Sequence, residues 1–381
     1  MSRVVMMAAL AIALATASAG CAPAGLAQAP AEPPDGTIYA GATVRLSSNG
    51  FGQFTQTSGQ GKVAILNRYT TAGLTRFRDA LDDIRGRPVV GMISWRLFRA
   101  RHSTRHAGGT QASIARGDVD RYILGRAAEA RRYAKPLFLR LNWEMNGDWM
   151  PFSRLDSEGR ARRGNGYAHF RNAWRRTVIL FRGGTRKEIN AKLRRLRLPG
   201  LRARIAKVAP TPNVAWVWTP ASKAPWPQEN VHRYYPGDTY VDWVGVDWYG
   251  TSGEGAHGKR AAGVRGPNEI YDRYSGPQSR GRKPFLIGEW GVFGQDRPEW
   301  VADMFDWIEA RSEVKAALYF NVRASDQNSQ LQDFPASAQV YRERIVSPRW
   351  VKDYRAVEGR LVVPKALETL ARALGGGIPG P

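Results

Sequence analysis

Eight short apolar runs, amphipathic stretches between them, and a chain of 381 residues that is 43% hydrophobic predict an α/β chain folded as a closed (β/α)8 TIM barrel. The length allows one large barrel, since this architecture commonly takes ~250 residues or more. An open doubly wound sheet would show the same alternation. It would lack a phosphate loop, because neither G-x-G-x-x-G nor G-x-x-x-x-G-K-[ST] follows any of the runs.

The predicted strands lie at residues 38–46, 63–69, 88–95, 136–144, 214–218, 241–249, 284–290 and 314–321. Helical periodicity fills residues 75–84, 119–133, 167–181 and 299–310 between them. Ahead of the barrel, residues 1–29 read as an export signal: Arg3 is followed by the apolar stretch 4–17, with small-residue cleavage patterns at Ala17-Ser18-Ala19 and Ala27-Gln28-Ala29. A membrane-spanning helix needs ~20 apolar residues, more than this run offers. Cys21, the single cysteine, follows Ser18-Ala19-Gly20 and partly resembles a lipoprotein processing site. The expected localisation is therefore secreted or held at the cell envelope, with lipidation at Cys21 as the envelope route. Cleavage after Ala29 would leave no cysteine, hence no disulfide framework and no thiolate metal site. Residues 30–36 read as a linker, 37–348 as the barrel domain and 349–381 as a C-terminal extension with one helix at 364–374.

Lys and Arg number 57 against 33 Asp and Glu, a formal charge of +24. A field of that sign attracts anionic cell-envelope polymer, lipid headgroups or nucleic acid, and it equally describes a solvated basic face set by compositional bias. No specific nucleic-acid motif accompanies it. Residues 182–207 concentrate ten Lys or Arg against one acid, Glu188. Thr185 and Glu188 have capping-box spacing, and Ile189, Leu193 and Leu196 share a helical face, so a basic amphipathic helix is expected as an insertion. It would be either an anionic docking surface or a helix packed on the barrel with a solvated arginine face.

In a parallel barrel, chemistry gathers at the C-terminal ends of strands. The fourth run ends in Asn142, Trp143, Glu144, Asn146 and Trp149, the sixth in Asp247 and Tyr249, the seventh in Glu289 and Trp290, and the eighth in Asn321. Glu144 and Glu289 would face each other across the barrel mouth, and paired carboxylates suit glycosidic bond cleavage. Glu144 would need an apolar wall to stay protonated, which Trp143 and Trp149 would supply. Glu289 would need donors to stay ionised, which Tyr249 and Arg140 would supply. Asn142, Asn146 and Asn321 suit sugar hydroxyls, and indoles near strand ends, Trp95, Trp149, Trp218, Trp248 and Trp290, suit stacking on pyranose rings, whereas Trp216 is expected in the core. His102, His106 and His169 form no metal-ligand spacing, so neither metal nor cofactor is expected.

The run R-L-N-W-E-M-N-G-D-W (140–149) resembles the acid/base signature of glycoside hydrolase family 26, usually R-P-x-H-E-x-N-G-x-W. The stretch 234–249 resembles the family's sixth-strand approach, and I-G-E-W-G (287–291) its nucleophile strand. A-W-R-R-T-V (173–178), N-V-A-W-V-W-T-P (213–220) and Y-F-N (319–321) are further similarities, in the expected order over residues 37–345. The resemblance implies an exported, retaining endo-β-glycanase on a (β/α)8 barrel, acting on a polysaccharide: mannan first, β-1,3-xylan or mixed-linkage glucan as alternatives; a monomer is expected. It implies Glu144 as acid/base, Glu289 as nucleophile, Tyr249 as the nucleophile's hydrogen-bond partner, and Trp149 and Trp218 as sugar-site aromatics. Trp143 and Leu141 depart from the family's His and Pro, which bears on sugar preference and leaves a binding-only protein on the same barrel as the alternative.

Overall fold

The computed structural model describes residue 30 and residues 32–46, 49–72, 76–99, 109–250, 266–324 and 327–354. The export signal with Cys21, His102, His106 and the 364–374 helix lie outside the described residues.

Eight parallel strands close on themselves: β1 (Ile38–Val44), β2 (Ile65–Ala72), β3 (Val90–Arg99), β4 (Leu137–Leu141), β5 (Val214–Trp218), β6 (Trp243–Gly250), β7 (Phe285–Val292) and β8 (Val314–Asn321). They pair in chain order, and β8 pairs with β1 from Tyr39↔Ala316 to Val44↔Asn321, so the sheet has no open edge. The chain is a (β/α)8 TIM barrel, and the open-sheet alternative falls. Helices α1 (Gly50–Thr57), α2 (Phe77–Arg85), α3 (Gln111–Arg116), α4 (Asp120–Tyr133), α5 (Tyr167–Arg182), α6 (Arg186–Arg195), α7 (Gly266–Tyr274), α8 (Pro298–Glu309) and α9 (Pro335–Ile345) are the described helices.

Strand alternation divides the apolar residues into two cores. Ile65, Met92, Phe138, Val217, Trp243 and Leu286 fill the barrel interior, with Trp243 edge-on to Phe138 at 5.1 Å. Leu137, Leu139, Trp216, Trp248 and Ile287 point the other way, toward the helices. Trp350–Val351 pairs with Ile38 and Tyr39, and the Tyr354 ring lies 5.5 Å from that of Tyr39. Residues 350–354 therefore pack with the barrel, under its interior core, rather than belonging to a separate extension from 349.

Two glycines govern how the interior is filled near the strand ends. At β7 the register against β6 slips between Val246↔Ile287 and Asp247↔Glu289, so Gly288 is an extra residue on β7. Leu286 faces the interior, and strict alternation would send Glu289 outward; the bulge resets the phase and turns Glu289 inward. A Cβ on Gly288 would stand 2.5 Å from Arg140 Nη1, so only glycine fits there. After β4, a Cβ on Gly147 would stand 2.5 Å from the Trp149 ring, so Gly147 lets that indole fold back over the barrel mouth.

Candidate active site

Above the apolar interior lies one polar layer, with a residue from each of several strands. Arg140, fully buried on β4, donates from Nε to Ser94 Oγ at 2.9 Å, from Nη1 to Asp247 Oδ1 at 2.7 Å, and from Nη2 to Glu289 Oε1. Ser94 Oγ donates to Asn67 Oδ1 at 2.8 Å, and Asn67 Nδ2 donates to Thr43 Oγ1 at 3.1 Å. The ladder thus runs Thr43, Asn67, Ser94, Arg140, Glu289 across β1, β2, β3, β4 and β7. Glu289 receives a second donor, the Tyr249 hydroxyl, on Oε2 at 2.5 Å. Burial and the neighbouring Glu289 charge push the Tyr249 and Tyr69 phenols well above their ordinary range, so both remain donors. Burial opposes the Arg140 charge, but Asp247 and Glu289 outweigh it and hold the guanidinium protonated.

Glu144 sits three residues beyond β4, which ends at Leu141. Asn142 (φ 43°) and Glu144 (φ 53°) both occupy the left-handed region, an unusual conformation for residues with a side chain. The turn is clamped on both sides. Asn142 donates its N–H to the Trp95 carbonyl and accepts the Leu97 N–H on Oδ1, both at 3.0 Å, while Glu144 donates its N–H to the Thr219 carbonyl at 2.9 Å. Asn146 exchanges hydrogen bonds with the Ala221 backbone in both directions at 2.9 Å. The Glu144 side chain accepts from Trp149 Nε1 at 2.8 Å on Oε2. Burial, then the Glu289 charge, lifts its acid to about 7, against the lowering effects of Trp149 and Arg140. Asp247 is also raised well above its usual range, first by burial, with Arg140 pulling it back and Glu289 and Glu144 adding to the rise.

These groups border a cavity of about 520 Å³ at the C-terminal ends of the strands, with Ser222, Lys223, Phe293 and Phe320 completing its walls. Oxygens of Glu144, Asp247 and Glu289 lie within 4.8 Å of one another. Three carboxylates at that spacing resemble a cation site, but Asp247 and Glu289 are already paired to one guanidinium, which supplies the positive charge a metal would bring.

Residues 182–261 match the model of glycosyl hydrolase family 26, a span that includes β5, β6, Asp247 and Tyr249. The chain is 23% identical over 237 residues to Endoglucanase H of Acetivibrio thermocellus, 61% of this chain and 22% of that protein, so it spans about a fifth of this curated relative. Solved structures with the same fold include a Cellulomonas fimi endo-beta-1,4-mannanase double mutant (17% identity, 84% of this chain and 73% of that one, TM-score 0.52) and a family 26 beta-mannanase from Bacteroides ovatus (14%, 83% and 90%, TM-score 0.51). Over residues 182–261 the chain is similar to glycosyl hydrolase family 26.

In this barrel the residues expected at the site divide into three groups. Glu144, Trp149, Asp247, Tyr249 and Glu289 meet at the cavity, and Trp149, 44% exposed, presents the one indole face open there among the described residues. Arg140 and Trp143 lie beneath it. The Trp143 ring stands 5.3 Å from the Arg140 guanidinium carbon and 5.2 Å from the Tyr69 ring, so its face is committed to that cation rather than to a sugar or to a wall around Glu144.

The third group is corrected by the structure. Asn142, Asn146 and Asn321 are all buried and bonded within the fold: Asn142 Oδ1 accepts the Leu97 N–H, Asn146 exchanges bonds with Ala221, and Asn321 accepts the Leu331 N–H at 2.6 Å and donates to Gln332 Oε1 at 3.2 Å. Trp218 is fully buried against Tyr235 and Tyr274, and Trp290 stacks on Tyr341. Trp95 and Trp248 face the helices as well. Trp218 lies two residues from Trp216, so the two share a face, and β5 turns both outward.

Sequence reasoning did not place Thr43, Asn67, Tyr69 or Ser94 at the site, and it missed Phe293 and Phe320. The first group left a signal: Thr43, Asn67 and Ser94 are polar residues inside otherwise apolar runs. Phe293 and Phe320 left none, because an aromatic residue at a strand end reads as core.

Proposed function

We propose that the protein is an exported, retaining endo-β-glycanase of the mannanase type. The observation that carries this reading is the pairing of Glu144 and Glu289 with oxygens within 4.8 Å across one cavity, one acid raised to about 7 and the other held by Arg140 and Tyr249. Retaining enzymes keep their carboxyls ~5–5.5 Å apart, whereas inverting ones leave ~6.5–9.5 Å for a water. In the first step Glu289 attacks the anomeric carbon as Glu144 gives its proton to the departing glycosidic oxygen. A glycosyl ester forms and the leaving chain departs as an alcohol. Glu144, now ionised, takes a proton from water, the resulting hydroxyl attacks the anomeric carbon, and Glu289 leaves as a carboxylate.

Trp149, beside Glu144 and open to solvent, is the stacking surface for a pyranose ring. Mannan is the first substrate because the solved family 26 structures named above are mannanases; the name of the Acetivibrio relative adds β-glucan. Export rests on the leader pattern of residues 1–29, with Cys21 as the point of envelope attachment, and the protein acts as a monomer on its polysaccharide.

The test is Glu289→Ala assayed for new reducing ends on mannan, β-1,3-xylan, mixed-linkage glucan and laminarin. Wild type should cut one or more of these with the β-anomer released first, and the variant should lose hydrolysis while still binding the chain. Undiminished turnover in Glu289→Ala, or first release of the α-anomer, overturns the reading.

A further inference from the structure

The basic segment 182–207 takes no part in the proposed reaction. It is inserted between α5 and β5, so it enters and leaves at the N-terminal ends of the strands, opposite the cavity. Gly184–Thr185 and Lys207–Val208 pair to close its base. α6 opens with the Thr185 capping box, buries Ile189 and Leu193 against the barrel, and is followed by buried Leu198 and Leu201. The stretch behind it is held by an ion pair removed from solvent: Arg176 Nη2 and Asp120 Oδ2 are 2.6 Å apart. Arg176 also donates to the carbonyls of Pro199 and Gly200, and Asp120 accepts the Arg202 N–H at 2.9 Å. The segment is therefore a preformed ridge, and a partner would meet it with little ordering cost.

Its charges are turned outward. Arg182 pairs with Asp242, Arg202 with Asp118, and Arg186 with the carbonyls of Leu201 and Ala203. Glu188, the only acid, is folded back onto the Thr185 N–H at 2.7 Å. Lys187, Lys192, Arg194, Arg195, Arg197 and Arg204 are exposed and, among the described residues, form no ion pair. Burying an Asp120–Arg176 pair to hold a ridge of uncompensated like charge is more structure than a solvated face requires.

We propose that this ridge docks a linear acidic polysaccharide, tethering the enzyme to an anionic matrix while the cavity at the other end of the barrel stays open. Charge complementarity selects a polyanion. Ile205, 36% exposed, is the one large apolar side chain displayed there, too little to insert into a bilayer. The segment has no aromatic residue on which unpaired bases would stack.

The experiment measures binding of the full chain to fluorescein-labelled polygalacturonate across a salt series. Wild type should bind and weaken steeply with salt. Lys192→Gln/Arg194→Gln/Arg195→Gln/Arg197→Gln should lose about tenfold or more in affinity, by removal of four close charges. A control with the same charge removed from elsewhere, Lys62→Gln/Arg76→Gln/Arg280→Gln/Arg282→Gln, should bind nearly as wild type. Tm of both variants checks the fold, and if the ridge variant melts early, the same four positions changed to Lys or Arg in the reciprocal sense should retain binding. Equal losses in the two Gln variants, no loss in the ridge variant, or tighter binding to phosphatidylglycerol vesicles or duplex DNA at equal charge overturns the proposal.

Discussion

In the proposed reaction Glu144 carries two opposed demands, to hold a proton for the leaving oxygen and to release it for the second step. An acid near 7 meets both at neutral pH. Because Glu144 must be protonated to donate, kcat/KM should fall as pH rises through about 7. The Trp149 indole N–H favours the ionised form, so Trp149→Phe should move that limb upward, and Glu144→Gln should abolish it. Stability follows the same sign. A carboxyl raised in the folded state favours folding most below its unfolded value, and the benefit is lost as pH rises toward 7. Glu144→Gln should therefore be more stable than wild type at pH 8, by roughly 1–3 kcal/mol, measured by urea unfolding. A destabilised Gln variant would mean that the carboxylate is welcome in the fold and that its acid is not raised. The same scale explains Trp143. Where the family usually has a histidine, this chain places an indole over the cation that holds Glu289, a contact of ~1–2 kcal/mol when desolvated.

At the scale of elements, β7 matters most, because one extra residue decides which way Glu289 points. Gly288→Ala would put a methyl 2.5 Å from Arg140 Nη1 and 2.6 Å from Asp247 Oδ1, forcing the guanidinium off Glu289. We expect kcat to fall about a hundredfold, the scale of an ångström's misplacement, with KM changed far less. A Gly288→Ala enzyme with normal kcat would show that the Arg140 contact does not position Glu289 for the proposed attack. The strands themselves were legible as apolar runs, and all eight lie where the runs predicted them. Side-chain direction was not. In a parallel sheet both faces are buried, so apolar character does not tell the barrel interior from the helical side. That is why Trp218 and Trp290 read as sugar platforms and proved to be packing.

For the whole molecule, the barrel is held by core packing and by a few buried ion pairs. Asp120–Arg176 ties α4, α5 and the basic ridge together. Removing one partner leaves the other charge buried and unpaired, so Asp120→Ala should cost about 3–5 kcal/mol in urea unfolding. It should also expose the backbone of residues 199–202 to hydrogen exchange. A loss under about 1 kcal/mol, the worth of a surface pair, would show that the ridge is not anchored there.

Read alone, the chain determined the eight strands, the capped basic helix and the two glutamates at strand ends, because each rests on local pattern, while closure of the sheet rested on the β8–β1 pairing. The chain also brought out a resemblance to family 26 through motifs that span a few residues each. Only the tertiary structure decided which polar residues join into one layer, that Asn142 and Asn146 clamp the Glu144 turn, and that Trp143 covers Arg140. These depend on the phase of each strand relative to its neighbours, and on a bulge at Gly288 that shifts the phase by one residue, and neither is encoded in any single run.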